Sequence, residues 1–225
     1  MIRAGRVRLN RAVQRDPERP VRLDSDQILV DGREAKREEK IYLMMNKRRG
    51  LVTSASDEKG RETVYSVLAS ESLPWVAPVG RLDKASEGLL LLTNDSEWGA
   101  CVAAPDTHLE KTYHVQIARV ADATLIESLT AGVSLAKNGT DETLRAKKVR
   151  MLRSGDKNCW LEIVLDEGKN RQIRRMLEVL GVEVLRLVRV AIGPLQLGKL
   201  AKGAYRRLTT VEKRMLDRAM ETGIS

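Results

Sequence analysis

One stretch constrains the fold more than any other. Residues Gly88–Asn94 read Gly-Leu-Leu-Leu-Leu-Thr-Asn, an unbroken apolar run closed by a glycine on one side and Asn94-Asp95 on the other. Such a run has neither the alternation of a half-exposed strand nor the length of a buried helix. It suits a strand buried on both faces. A strand of that kind needs a layer against each face, so it predicts a sheet covered by other elements on both sides. The run is also far too short to cross a bilayer, which takes about 20 apolar residues. Met1–Arg15 is Arg-rich without an apolar centre, so a secretory signal is not expected and the chain is read as cytoplasmic with no membrane partner.

The flanking sequence extends the reading. Strands are expected at Arg6–Leu9, Gln27–Val30, Ile41–Asn46, Thr112–Val120, Leu144–Leu152, Trp160–Leu165 and Val182–Val190. Helices are expected over Arg61–Ser70, from the spacing of Val64, Val67 and Leu68, over Ala121–Thr130 and over Asn170–Leu180 before Gly181. A terminal helix is expected at Thr209–Met220, with Thr209 as its cap. Asp31-Gly32 signals a turn, and the highly charged Arg33–Lys40 reads as a linker. Strands outnumber helices without a regular β-α repeat. The fold class is therefore α+β, with a large mixed or antiparallel sheet flanked by helices and a small strand-rich module ahead of it.

Charge limits the partners. The chain has 225 residues with 40 Lys and Arg against 31 Asp and Glu, a net +9. The excess is clustered: residues 1–50 carry +6, residues 145–176 carry +6, and residues 186–214 carry +7 with Glu212 as the one acid. Three basic clusters in one chain point to a polyanion, because each neutralised phosphate releases counterions. Aromatic residues make up only 3% and Phe is absent, which argues against broad stacking platforms and for recognition by charge, shape and one or two stacked bases. Cys101 and Cys159 lie far apart and read as two buried thiols rather than a disulfide. His108 and His114 lack metal-ligand companions at useful spacing, so neither metal nor cofactor is expected.

Three segments carry candidate chemistry. In Gly80-Arg81-Leu82-Asp83-Lys84-Ala85-Ser86-Glu87-Gly88, Asp83 sits between two cations that favour its ionised form. Such a carboxylate can serve as base or nucleophile, or it can simply bond the amides of its own turn. In Glu110-Lys111-Thr112-Tyr113, Tyr113 offers a flat face and a hydroxyl, or is a half-buried strand residue. Residues 167–176, Glu-Gly-Lys-Asn-Arg-Gln-Ile-Arg-Arg-Met, lead from a strand into a helix, where Arg171, Arg174 and Arg175 share a side. With no acid interleaved, they suit an anion lying against them. The residues alone thus describe a nucleic-acid binder with a charged loop aspartate and no named reaction.

Taken together, these segments resemble the pseudouridine synthases, in particular the RsuA-type branch that acts on ribosomal RNA. The matching pieces are residues 80–95 (GRLDKASEGLLLLTND), 111–117 (KTYHVQI) and 167–176 (EGKNRQIRRM), with a further likeness over 184–209. Residues 4–32 resemble the later half of the S-four-like RNA-binding module that often precedes this catalytic domain. Its opening helices have no counterpart after Met1, and Arg11 follows Asn10 where a turn glycine is usual, so an incomplete RNA anchor is expected there. The domain division implied is 1–36 for module and linker and 37–225 for the catalytic domain with the pseudouridine synthase fold.

The resemblance implies an isomerase that converts a specific uridine of ribosomal RNA to pseudouridine without cofactor or metal; a monomer is the default expectation, because no dimer seam is visible in the sequence. It assigns Asp83 as the catalytic carboxylate, attacking either the sugar C1′ or the uracil C6. Arg174 is its ion-pair partner, and Tyr113 the residue that stacks on the base and serves in proton removal from C5. Ile173 packs on the same pocket, while Arg81, Lys111, Lys169 and Arg171 contact phosphate or set the pocket's charge. The substrate would be ribosomal RNA or a pre-ribosomal particle. Two rivals remain: a non-catalytic ribosomal assembly factor on the same fold, and a synthase acting on transfer RNA.

Overall fold

The computed structural model describes all residues except 23–24, 36–38, 56, 69–72, 138–139 and 223–225. Its contacts divide the chain into two compact units, Met1–Glu39 and Lys40–Ser225.

In the first unit, strands β1 (Val7–Leu9), β2 (Ala12–Gln14), β3 (Ile28–Val30) and β4 (Arg33–Glu34) form an antiparallel sheet in the order β2-β1-β3-β4. Two turns give it its shape. Asn10 and Arg11 join β1 to β2 with φ of 48° and 73°, and Asp31-Gly32 joins β3 to β4 at 52° and 78°. Hairpin turns with both central residues in the left-handed region match the twist of the strands. Glycine or asparagine does this readily, an arginine only with strain. The expected linker Arg33–Lys40 begins as β4, and its middle, 36–38, lies outside the described residues.

The second unit is built on β5 (Tyr42–Lys47), β6 (Ala77–Val79), β7 (Glu87–Thr93), β8 (Lys111–Ile117), the hairpin β9 (Val133–Lys137) and β10 (Thr140–Leu144), β11 (Lys148–Ser154), β12 (Cys159–Leu165), β13 (Val184–Ile192), β14 (Leu195–Gln196) and β15 (Tyr205–Arg207). Its helices are α1 (Ser96–Ala103), α2 (Ala123–Ala131), α3 (Gln172–Val179) and α4 (Thr210–Thr222). The main sheet has the order β11-β12-β8-β13-β7-β5-β15, with β14 on β13 and β6 on β7. Its pairings are antiparallel except where β13 meets β7 in parallel, at Val188–Glu87 and Arg189–Gly88. The mixed α+β architecture is the one anticipated.

That short parallel seam depends on Gly88. Its φ is 104°, and a Cβ there would fall 2.2 Å from the Arg189 carbonyl oxygen and 2.8 Å from the Arg189 nitrogen. All seven residues of β7 are buried, as its continuous apolar run requires. Alternate side chains feed opposite layers. Leu89 and Leu91, with Met44 of β5, pack against α1 and α4 through Trp98, Val102, Leu216 and Met220. Leu90 and Leu92, with Leu43 and Met45, pack against Leu51, Val64 and Leu82. A third cluster joins Val115, Ile117, Leu161, Ile163 and Leu187 to Ile173, Met176 and Leu177 of α3, and Tyr113 bridges it to the second.

Several local expectations are corrected. The helix over Arg61–Ser70 reduces to a 3₁₀ turn at Val64–Val67, and residues 69–70 are not described. Leu144–Leu152 is not one strand; it breaks between β10 and β11 at residues 145–147. Helix α1 was unexpected, because Asn94-Asp95-Ser96 reads as a turn; the Asp95 carboxylate instead accepts the Trp98 amide and caps the helix. Cys101 is exposed rather than buried, while Cys159 is buried. Thr209 does cap α4: its hydroxyl accepts the Glu212 amide at 3.2 Å and Glu212 accepts the Thr209 amide at 2.8 Å.

Candidate active site

A cleft of about 350 Å³ is lined by the loop before β7, the start of β8, the entry to α3 and residues of β13. Asp83, Tyr113, Arg174, Arg81, Lys111, Lys169, Arg171 and Ile173, all eight residues singled out from the sequence, line it. They come from three segments that are distant in the chain. The loop before β7 supplies Arg81 and Asp83, the start of β8 supplies Lys111 and Tyr113, and the entry to α3 supplies the rest.

The Asp83 loop is pinned from beneath by the segment that follows β5. Thr53 donates its hydroxyl to the Leu82 carbonyl at 2.8 Å, and the Gly50 amide donates to the Lys84 carbonyl at 2.8 Å. Lys47 is fully buried. Its ammonium donates to the carbonyls of Ser86 at 2.8 Å, Asp83 at 3.0 Å and Arg48 at 3.4 Å. Burial pushes this ammonium down to about 8, against the pull of Asp83 and Glu87. Glu87, buried next to the loop, accepts both nitrogens of Arg186 at 2.8 and 2.9 Å and pairs Lys202 at 3.2 Å. Those contacts, the Arg186 hydrogen bonds first, hold its carboxyl below the usual carboxylate range.

On the facing side, Arg171 precedes α3 in a left-handed conformation, φ 50°. A non-glycine residue held there is strained, and such strain gathers at functional sites. The conformation brings an Arg171 Nη1 to 3.5 Å from Asp83 Oδ2. This corrects one expectation: the guanidinium paired with Asp83 is that of Arg171, not Arg174. Arg174 donates to the Ala85 carbonyl at 3.3 Å, and its Nε is buried without a hydrogen-bond partner among the described residues. Burial and the charge of Arg171 push the Arg174 guanidinium down, while Asp83 supports it from within electrostatic reach. The shared arginine face also divides. Arg175 turns from the cleft to bond Glu142, and Lys169 meets Glu167 at 3.1 Å and Glu142 at 3.7 Å. The acids that sequence did not interleave are thus supplied by the chain's folding. Ile173 is 3% exposed and packs in the cluster that holds Tyr113.

Two cleft-side residues escaped sequence reasoning. Lys47 ends β5, in step with the inward-facing Leu43 and Met45, and Arg189 follows Leu187 by two on β13. Period-two alternation therefore aims both cations inward, a signal present in the sequence but hidden by their hydrophilic character. The arrangement can hold an anionic, planar ligand: a carboxylate at one side, an aromatic ring as floor, and several cations at the rim.

Comparison with known proteins places the chain in a family. The family profile described as RNA pseudouridylate synthase matches residues 41–179. Ribosomal large subunit pseudouridine synthase B of Bacillus subtilis (strain 168) is 34% identical over 225 residues, covering 99% of this chain and 90% of that protein. An uncharacterized RNA pseudouridine synthase of Aquifex aeolicus (strain VF5) is 34% identical over 98% of this chain and 87% of its own length. A solved crystal structure of a pseudouridylate synthase superposes with a TM-score of 0.66 at 30% identity, covering 96% of this chain and 90% of that one. The fold, the motifs and the length of these matches lead to one conclusion: the chain belongs to the RNA pseudouridylate synthase family, whose members are isomerases of uridine in RNA.

Proposed function

We propose that this chain isomerises a specific uridine of ribosomal RNA to pseudouridine, with Asp83 as the catalytic carboxylate. The observation that carries the reading is the convergence of Asp83, Tyr113 and Arg174 on one cleft of about 350 Å³. A non-catalytic RNA binder would need the basic rim but no carboxylate buttressed by a buried lysine and faced by a tyrosine.

The chemistry follows from these positions. A uridine stacked in RNA is out of reach, so it must be turned out of its stack, at a cost of a few kcal/mol. Contacts between phosphates and Arg81, Lys169 and Arg171 at the cleft rim offset that cost. Arg171 then exchanges Asp83 for a phosphate, while Arg174 keeps its hold on the Ala85 carbonyl of the same loop. Stacking on Tyr113 holds the base against Asp83. A positioned carboxylate nucleophile splits one difficult step into two easier ones. The Tyr113 hydroxyl serves in removing the C5 proton. The conversion changes neither the composition nor the oxidation state of the nucleoside, the C5 proton being exchanged for one at N1, so the chain is taken to work without cofactor or metal; it is taken as a monomer by default. Residues 1–36, the S-four-like module and its linker, are read as an incomplete RNA anchor ahead of the catalytic domain, 37–225. We place the enzyme in the cytoplasm; no described helix is long and apolar enough to cross a membrane.

Carbodiimide-block sequencing of RNA from a deletion strain tests the proposal. One pseudouridine absent from ribosomal RNA is the expected result. A site absent from transfer RNA instead would move the substrate, and no missing site would favour the assembly-factor reading.

A further inference from the structure

The cleft contains a second pair of cations that plays no part in the ion pairing around Asp83. Arg189 is only 6% exposed, yet it lines the cleft and stands opposite Tyr113 in the β8–β13 ladder. Its Nε donates to the Leu89 carbonyl at 2.7 Å. Its Nη2 is buried with no hydrogen-bond partner among the described residues. Lys111, half-buried on the same wall, lies within electrostatic reach. Burial, then the charge of Arg189, pushes its ammonium down, and only Asp166 opposes them.

A guanidinium cannot lose its proton to escape burial, and a buried donor left unmade is costly. The bond to Leu89 gives Arg189 an anchoring role in β7, but explains neither the orphaned Nη2 nor a second cation placed against it. Phosphates are poor candidates for the missing partner, because the exposed Arg81, Lys169 and Arg171 already serve the rim. Arg189 is the more buried cation and stands opposite Tyr113 across the ladder. A planar base stacked on Tyr113 would bring its exocyclic oxygens toward that side of the cleft.

We propose that Arg189, assisted by Lys111, is a further catalytic residue: it donates to a uracil carbonyl oxygen and stabilises the negative charge that develops on the detached or attacked ring. The proposal rests on the reaction assigned above. If Asp83 attacks C1′, a carboxylate oxygen forms the new bond to carbon as the C1′–N1 bond breaks. The electron pair leaves on the ring, shared among N1, O2 and O4. The base turns, the C5 pair bonds C1′, and Asp83 departs with its own pair as carboxylate. The C5 proton is lost and N1 gains one. If Asp83 instead adds to C6, the C5–C6 π pair moves into the ring as an O4 enolate. In either route the charge reaches a carbonyl oxygen, where donors fixed in advance in a dry site act most strongly.

The test compares single-turnover loss of the target nucleoside in unmodified ribosomal RNA transcripts containing uridine or 5-fluorouridine, read by nuclease digestion and mass spectrometry. Fluorine stabilises the anionic ring by itself. Arg189→Met should slow the uridine reaction by about 100-fold, with RNA Kd within about threefold, and the deficit should shrink at least about tenfold on 5-fluorouridine. Arg189→Lys should recover part of the rate. Lys111→Met, which leaves the Leu89 bond intact, should repeat the pattern more weakly and covers the case in which Arg189→Met misfolds. Equal deficits on both RNAs, or a loss confined to Kd, would overturn the inference alone. A wild-type protein inactive on every transcript would end the underlying reaction as well.

Discussion

Replacing Lys47 by Met tests whether a buried ammonium sets the position of the catalytic loop. Methionine keeps the stem and removes the donors. The two shorter bonds, at 2.8 and 3.0 Å, bind the Ser86 and Asp83 carbonyls. A hydrogen bond to a charged group contributes about 1.5–3 kcal/mol, so the gross loss is about 3–6 kcal/mol. Against this stands the desolvation of the ammonium. Its displacement from 10.5 to about 8 corresponds to roughly 3 kcal/mol that the substitution relieves. The net cost in stability is therefore about 0–3 kcal/mol, a fall in Tm of some 0–10 °C for a domain of this size. Catalysis receives no such relief, because the loop loses its staple; a displacement of about 1 Å costs on the order of 100-fold in rate. Calorimetry with single-turnover kinetics should show a small Tm change beside a kcat lowered about 100-fold. A kcat within threefold of wild type would refute the reasoning. The pH dependence has a definite sign. Between about pH 8 and 10.5 the unfolded chain holds the Lys47 proton more tightly than the folded one, so wild type should gain stability relative to Lys47→Met as pH rises through that window. Its activity should fall over the same range, as the neutral amine gives up one of its three donors.

The other perturbations probe the seam, the rim and the small unit. Gly88→Ala places a methyl 2.2 Å from the Arg189 carbonyl; the β7–β13 pairing should part, with a loss above about 3 kcal/mol in chemical denaturation. Lys169→Ala should weaken RNA binding only about 3–10-fold, because Lys169 must first leave Glu167 and Glu142. The slope of log Kd against log salt should flatten by about 0.7–0.9 if one phosphate contact is lost. Arg11→Gly relieves a left-handed arginine at φ 73° and should stabilise Met1–Glu39 by about 0.5–1 kcal/mol, measured as slower amide exchange of β1 and β2.

The sequence made some of this legible and hid the rest for physical reasons. The uniform apolar run of β7 and the Thr209 cap of α4 are local signals, and both appear as written. Helix α1 was lost because the Asp95 that caps it sits in an Asn-Asp-Ser string that equally suits a turn, and Gly99 weakens the helical pattern. The convergence of Asp83, Tyr113 and Arg174 was legible through family resemblance, whereas the partner of Asp83 was not. That choice depends on the left-handed backbone of Arg171, which local pattern does not encode. Lys47 and Arg189 look like surface cations until the sheet is assembled around them. Burial is a property of the whole packing, and only their step with neighbouring apolar residues betrayed it.

Tritium release from ribosomal RNA transcripts labelled at uridine C5 tests the central claim most directly. Wild type should release tritium, whereas Asp83→Ala should release none while binding the same RNA with nearly unchanged Kd. Sustained release by Asp83→Ala would contradict the assignment of the chemistry to that carboxylate.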